Sequence, residues 1–184
     1  MLPRRRIFRP APSPRTWRGP LLLLGLAAGA ATLIGFGNPT QLFGNSPLEQ
    51  GWAAIPAEVR VVDGDTLRLA DRVVRLRGLE APARGETCRD AAGREFDCGA
   101  GSAEMLSRIV AGRGVQCRVQ GRDRFGRGLG RCEAGATELN AALVSAGWAL
   151  GEDSSLAPLE ANARSAGRGL WADGARPPQA WRGR

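Results

Sequence analysis

The chain has 184 residues, 43% of them hydrophobic, 24% charged and 5% aromatic, which leaves room for one globular domain with an appendage and excludes a large multidomain enzyme. It contains no His, Lys or Tyr, so Ser-His-Asp and Cys-His nucleophiles, His-ligated metals, Lys Schiff bases and Walker-type phosphate loops are ruled out, and any chemistry falls to Asp, Glu, Arg, Ser, Thr or Cys. The net charge of +8 divides into +5 over residues 1–50 and +3 over residues 51–184, so bulk charge is a poor argument for a DNA-wrapping surface.

Residues 1–19 form a basic n-region that holds Arg4, Arg5, Arg6, Arg9, Arg15 and Arg18, and no charge follows until Glu49. Residues 20–37 are an apolar run at the short end of the roughly 17–25 residues that span a bilayer and longer than the roughly 7–15 of a signal-peptide core. The expectation is an N-terminal transmembrane anchor with the basic flank in the cytoplasm, a cleaved signal being the alternative. In either case the domain after residues 38–57, a Pro-, Gly- and Asn-containing linker, lies in the periplasm or another extracytoplasmic space, or is secreted.

The cysteines agree with that compartment. Cys88, Cys98, Cys117 and Cys132 all lie in the exported part, and none forms a Cys-x-x-Cys pair, which with the absence of His argues against zinc. Cys117 and Cys132 flank the turn at residues 123–127 almost symmetrically, so on the two arms of a hairpin they face each other at bridging distance. Cys88 with Cys98 then closes a local loop.

Along the exported part, residues 58–69 and 73–79 alternate as a meander of strands. Residues 80–99 read as an irregular loop. Residues 102–110 are helical, with Ala103, Leu106, Ile109 and Val110 on one face and Gly112 ending the helix. Strands follow at 115–120 and 129–133, then helices at 138–149, with Leu139, Leu143, Val144 and Trp148 inward, and at 156–166. The pattern is a small barrel capped by helices, without internal repeats or an oligomerisation signal, so a monomer is expected.

Three segments together resemble the staphylococcal nuclease (thermonuclease-like) family: Val62-Asp63-Gly64-Asp65-Thr66-Leu67, Arg75-Leu76-Arg77-Gly78-Leu79-Glu80-Ala81-Pro82, and Asp123-Arg124-Phe125-Gly126-Arg127. Later residues, among them Asn140, Trp148, Glu160, Trp171 and Trp181, look like the C-terminal half of exported bacterial members, so the resemblance covers about residues 58–182. It implies a mainly β fold with α, an OB-fold five-stranded barrel packed with about three helices. It also implies Ca²⁺-dependent hydrolysis of DNA or RNA, with no organic cofactor. By position, Asp65 matches the first metal-ligand carboxylate, Glu80 stands where the second, usually Asp, belongs, and Ala81 offers its carbonyl. Arg75 and Arg127 match the two phosphate-binding arginines. Hard cations take oxygen ligands, and planar guanidinium forks suit a phosphoryl group gathering charge.

One position departs from the pattern. The family has Glu after Ala-Pro to position or deprotonate the attacking water, and this chain has Ala83, which accepts no proton. Glu86, three residues on, is the candidate replacement base. The absence of Tyr also removes the aromatic hydroxyls that usually line the nucleotide pocket. The rival expectations are a noncatalytic OB-fold module that binds nucleic acid or an acidic partner, and a structural envelope protein. Taken singly, Asp63-Gly64 is a strand-connecting turn, Phe125 packs beneath a turn in which Gly126 takes positive φ, Trp148 and Trp171 are core, and Glu160 supports the barrel by hydrogen bonds.

Overall fold

The computed structural model describes residues 49–175 and 177. The predicted n-region and apolar span lie outside the described residues, and no helix within them is long and apolar enough to cross a membrane.

Among the described residues the architecture is a mixed sheet wrapped as a half-barrel around one apolar core, with three α-helices packed on it. Strands β1 (Gln50–Ala54), β2 (Val59–Asp63), β3 (Thr66–Leu69), β4 (Arg72–Leu76), β8 (Val115–Arg122) and β9 (Gly128–Ala134) run in the order β1-β8-β9-β4-β3-β2. A short β10 (Thr137–Glu138) extends β9. The sheet is antiparallel except at β4 and β9, which run parallel. Alternation decides the faces: Leu67, Leu69, Val74, Leu76, Val115, Cys117, Val119 and Cys132 point into the core, and the residues between them face outward.

The expected linker ends earlier than residue 57. Residues 50–54 are a strand paired along β8, and Trp52, 4% exposed, packs above Gly128, where a Cβ would come within 2.6 Å of the indole. The expected five-stranded barrel is therefore a six-strand path with β10 added at its side.

Residues 80–99 are also more ordered than expected. β5 (Leu79–Glu80) pairs with β11 (Leu150–Gly151), and β6 (Thr87–Arg89) forms a hairpin with β7 (Glu95–Asp97). Helix α1 (Cys98–Val110) begins four residues before the expected Ser102, capped by the Asp97 carboxylate accepting from the Ala100 amide. Its early glycines are contact points: a Cβ on Gly99 would meet the Ala83 carbonyl and one on Gly101 the Trp148 ring. Cys98 is joined to Cys88, and Cys117 to Cys132 opposite it in the β8–β9 register, at a Cα–Cα distance of 4.0 Å.

Helix α2 (Leu139–Ser145) stops four residues short of the expected end. Gly147 then takes φ +80° against the Arg168 carbonyl, a place closed to any side chain. Leu139, Leu143 and Val144 are buried as expected, whereas Trp148 is half-buried and bridges the main core and a smaller one around Leu170 and Trp171. Helix α3 (Ala157–Ser165) contributes Glu160, whose carboxylate accepts from the Gly151 amide at 2.8 Å. Buried Asn140 accepts from the Cys132 amide and donates to the Arg77 carbonyl at 2.7 Å, tying α2 to the ends of β9 and β4.

Candidate active site

Between β2 and β3 the register shifts by one residue, and the turn at Gly64 carries Asp65 inward, 7% exposed. Gly64 is required there because a Cβ would lie 2.3 Å from the Ser102 hydroxyl oxygen, so the start of α1 presses against this turn. Arg75 on β4 stands opposite Thr66 on β3, and Glu80, 4% exposed, follows on β5. The three charges meet: Arg75 Nε donates to Asp65 Oδ2 at 2.6 Å and Nη2 to Glu80 Oε2 at 2.6 Å. Burial opposes the Arg75 charge, and the two carboxylates outweigh it, holding the guanidinium above its ordinary pKa.

Arg127 arrives from the β8–β9 turn. Asp123 anchors it, accepting from Arg127 Nε at 2.6 Å and, through its other oxygen, from the Phe125 and Arg127 amides. Burial pushes Asp123 up, but these bonds and the guanidinium prevail and hold its carboxyl below the ordinary carboxylate value. Arg127 Nη1 reaches the Thr66 hydroxyl at 3.3 Å, and Thr66 donates to Asp65 Oδ1 at 2.6 Å. A continuous chain of polar contacts thus runs Asp123, Arg127, Thr66, Asp65, Arg75, Glu80. Together with Asp63, Ala81, Ala83, Arg124 and Phe125, most of these line a cleft of about 300 Å³.

Asp65, Arg75, Glu80, Ala81 and Arg127, five of the residues singled out in the sequence, therefore share one cleft. Glu86 is not in its lining. Its carboxylate turns back to accept from the Ala83 amide at 2.9 Å, closing the turn that Glu86 itself completes by donating its amide to the Ala83 carbonyl. Phe125 does not pack beneath its turn: it is 69% exposed at the cleft mouth, with Arg124 and Arg127 over its ring at 4.8 and 5.4 Å. Sequence reasoning missed Thr66 and Asp123 as parts of the array. Asp123 had a signal, since an Asp opening a Gly-containing turn commonly captures the amides two and four residues on.

The donor set suits a hard cation. Two buried carboxylates converge on one guanidinium beside the wall formed by Ala81, and the potential ligands are all oxygens. Among the described residues no three acidic or thiol side chains form a ready-made cage, so an ion here would complete its shell from backbone, water or substrate oxygens.

The staphylococcal nuclease homologue family model matches residues 73–173. The chain belongs to the staphylococcal nuclease family. It is 34% identical over 123 residues to the succinoglycan biosynthesis protein ExoI of Rhizobium meliloti (strain 1021), a match covering 64% of this chain and 64% of that one. The chain thus spans just under two thirds of that relative's length. It is 36% identical over 137 residues to an uncharacterized endonuclease of Escherichia coli O157:H7, covering 68% of this chain and 83% of the relative, and equally similar to one from Escherichia coli. Of the cleft residues, Arg75, Glu80, Ala81, Ala83, Arg124, Phe125 and Arg127 fall inside the staphylococcal nuclease match, and Asp63 and Asp65 precede it.

Proposed function

We propose that this protein is a nuclease that hydrolyses phosphodiester bonds of DNA or RNA outside the cytoplasm, with Asp65, Glu80 and the Ala81 carbonyl as ligands of a calcium ion and Arg75 and Arg127 as its phosphate-binding arginines. The observation that carries the reading is the convergence of two buried carboxylates and two arginines in one cleft of a staphylococcal nuclease domain. Two cysteine pairs at disulfide distance support an oxidising compartment.

The chain's own groups divide the work. Calcium, when bound, would polarise a non-bridging phosphoryl oxygen. Arg75, held charged between two carboxylates, and Arg127, oriented by Asp123, supply planar donors to a phosphoryl group whose oxygens gain negative charge as water attacks. Asp123 fixes Arg127 at Nε, and Arg127 lines the cleft.

A specific observation favours slow turnover. Ala83 occupies the cleft rim where the family carries a carboxylate, and Glu86 is engaged with the Ala83 backbone. General-base assistance is worth about 10²–10⁴-fold, so the arginines and metal act with little help in deprotonating water. Its limiting case is the second reading, a module that binds nucleic acid without cutting it.

The test is cleavage of a single-stranded oligonucleotide by the full chain with calcium and with chelator, beside an Asp65→Ala variant whose folding is checked by thermal melting. Slow cutting that chelation and Asp65→Ala abolish is expected. Cutting indifferent to both would overturn the metal assignment, and no cutting with intact binding would select the second reading.

A further inference from the structure

The outer face of the sheet carries more arginine than the cleft uses. The pairings Thr66 with Arg75 and Arg75 with Leu129 form one row of outward-facing residues across β3, β4 and β9. Two residues further along the parallel strands, about 6.6 Å away, a second row begins with Arg77, whose amide donates to the Gly130 carbonyl and so continues the ladder. It proceeds through Arg131, which stands directly opposite Arg118 on β8. Arg77, Arg118 and Arg131 line one concavity of about 300 Å³ with Leu129, Gln120 and one carboxylate, Glu49, which accepts from the Gln120 side-chain amide at 3.0 Å. Arg75, in the first row, belongs to the cleft, and Leu129, its partner, belongs to the concavity, so the two depressions adjoin on one face.

The row sets two arginines directly opposite each other across the sheet. Like charges directly opposite across a sheet repel. Their carboxylate partners are wet: Arg118 with Glu133 at 3.1 Å, the side chains 66% and 49% exposed, and Arg131 with Asp153 at 2.6 Å, 40% and 35% exposed. Such pairs are worth about 0–1 kcal/mol and are readily exchanged for another anion. Arg77 donates to the Gln120 amide oxygen at 2.8 Å and, among the described residues, meets no carboxylate.

We infer that Arg77, Arg131 and Arg118 form a phosphate-holding row for the backbone of a single-stranded nucleic acid whose neighbouring phosphodiester lies in the Asp65–Arg75 cleft, so that the outer sheet face is a track and not a single-phosphate pocket. This rests on the phosphodiesterase reading for the identity of the strand. A continuous polyanion fits because it spans both adjoining depressions at once, the concavity with three arginines to one carboxylate and the cleft with three arginines beside its three carboxylates, and exposed guanidinium groups recognise phosphate without reading the base.

The experiment uses the full chain and an Arg77→Gln/Arg118→Gln double variant, neither residue lying in the cleft. Binding of a labelled twelve-nucleotide single strand is measured in chelator from low to moderate salt, and cleavage of a dinucleotide is measured in calcium. The double variant is expected to bind the long strand about tenfold more weakly at low salt, with a salt dependence of log K shallower by about 1.4, roughly 0.7 per lost contact, and to cut the dinucleotide at the parent's rate. Unchanged affinity and slope would overturn the track, as would a parent that cuts the dinucleotide but does not bind the longer strand. An arginine-dependent affinity for an anionic polysaccharide, with oligonucleotide binding indifferent to the two arginines, would also overturn it. A parent that binds with this slope but cuts nothing would keep the track and remove the nuclease reading.

Discussion

Arg75 and Arg118 are the same residue type on the same face of the same sheet, yet they sit in opposite physical regimes. The Arg75 side chain is 18% exposed and shares two carboxylates that are 9% and 5% exposed, whereas Arg118 is 66% exposed against a single carboxylate at 49%. In the first setting a missing partner strands charge on largely buried side chains; in the second, water replaces the partner at little cost. The difference teaches that burial, not the number of ion pairs, marks where the fold has invested in chemistry, and that the exposed row is free to trade its partners for a ligand.

That contrast can be broken most forcefully at Arg75. Arg75→Ala should lower stability by about 3–5 kcal/mol, because Asp65 and Glu80 would remain buried without their counter-charge. It should also reduce nuclease turnover by about 10²–10³-fold. Denaturant unfolding and cleavage assays check the two effects, and a stability loss below about 1 kcal/mol would mean that the cleft is as wet as the outer row.

Asp123 tests the intermediate case. Its carboxyl is held below the ordinary value, so the charged form stabilises the fold above the unfolded carboxylate pKa, and that contribution disappears as pH falls through the lowered folded value. Asp123→Asn should cost about 1–3 kcal/mol at neutral pH and should flatten the acid limb of stability against pH, as followed by thermal melting from neutral pH downward. A parallel acid limb in parent and variant would assign that limb to other groups.

At the weak end, Glu133→Gln should change stability by less than about 0.5 kcal/mol. On the track reading it should tighten binding of a single strand at low salt, because it releases Arg118. Weaker binding would show that Glu133 orients Arg118 and does not merely compete for it.

The parts legible in the sequence were those whose information is local. Asp63 and Gly64 announce a turn by their own residue types, and Cys117 and Cys132 announce a hairpin by their near-symmetry about residues 123–127. Strand β1 was not legible because Trp52 is its one large apolar residue and its partner, β8, is more than sixty residues away. The start of α1 was obscured by Gly99 and Gly101, which argue against a helix by propensity and are retained because the Ala83 carbonyl and the Trp148 ring leave no room for a Cβ. At the candidate site, the family resemblance carried by the three motifs nominated Asp65, Arg75, Glu80, Ala81 and Arg127, which share the cleft, and Glu86, which lies outside its lining. The sharing of Arg75 by two carboxylates, the Thr66 bridge and the turning of Glu86 toward the Ala83 amide depend on where β3, β5 and α1 bring the backbone, which spacing alone does not encode.

The central claim is that the cleft is assembled for phosphodiester hydrolysis and lacks only its proton acceptor. The most direct measurement compares the single-turnover rate of cleavage of a single-stranded oligonucleotide in calcium by the full chain and by Ala83→Glu. The account predicts a slow, chelator-sensitive parent and a variant faster by about 10²–10⁴-fold. A variant no faster than a folded, strand-binding parent would contradict it.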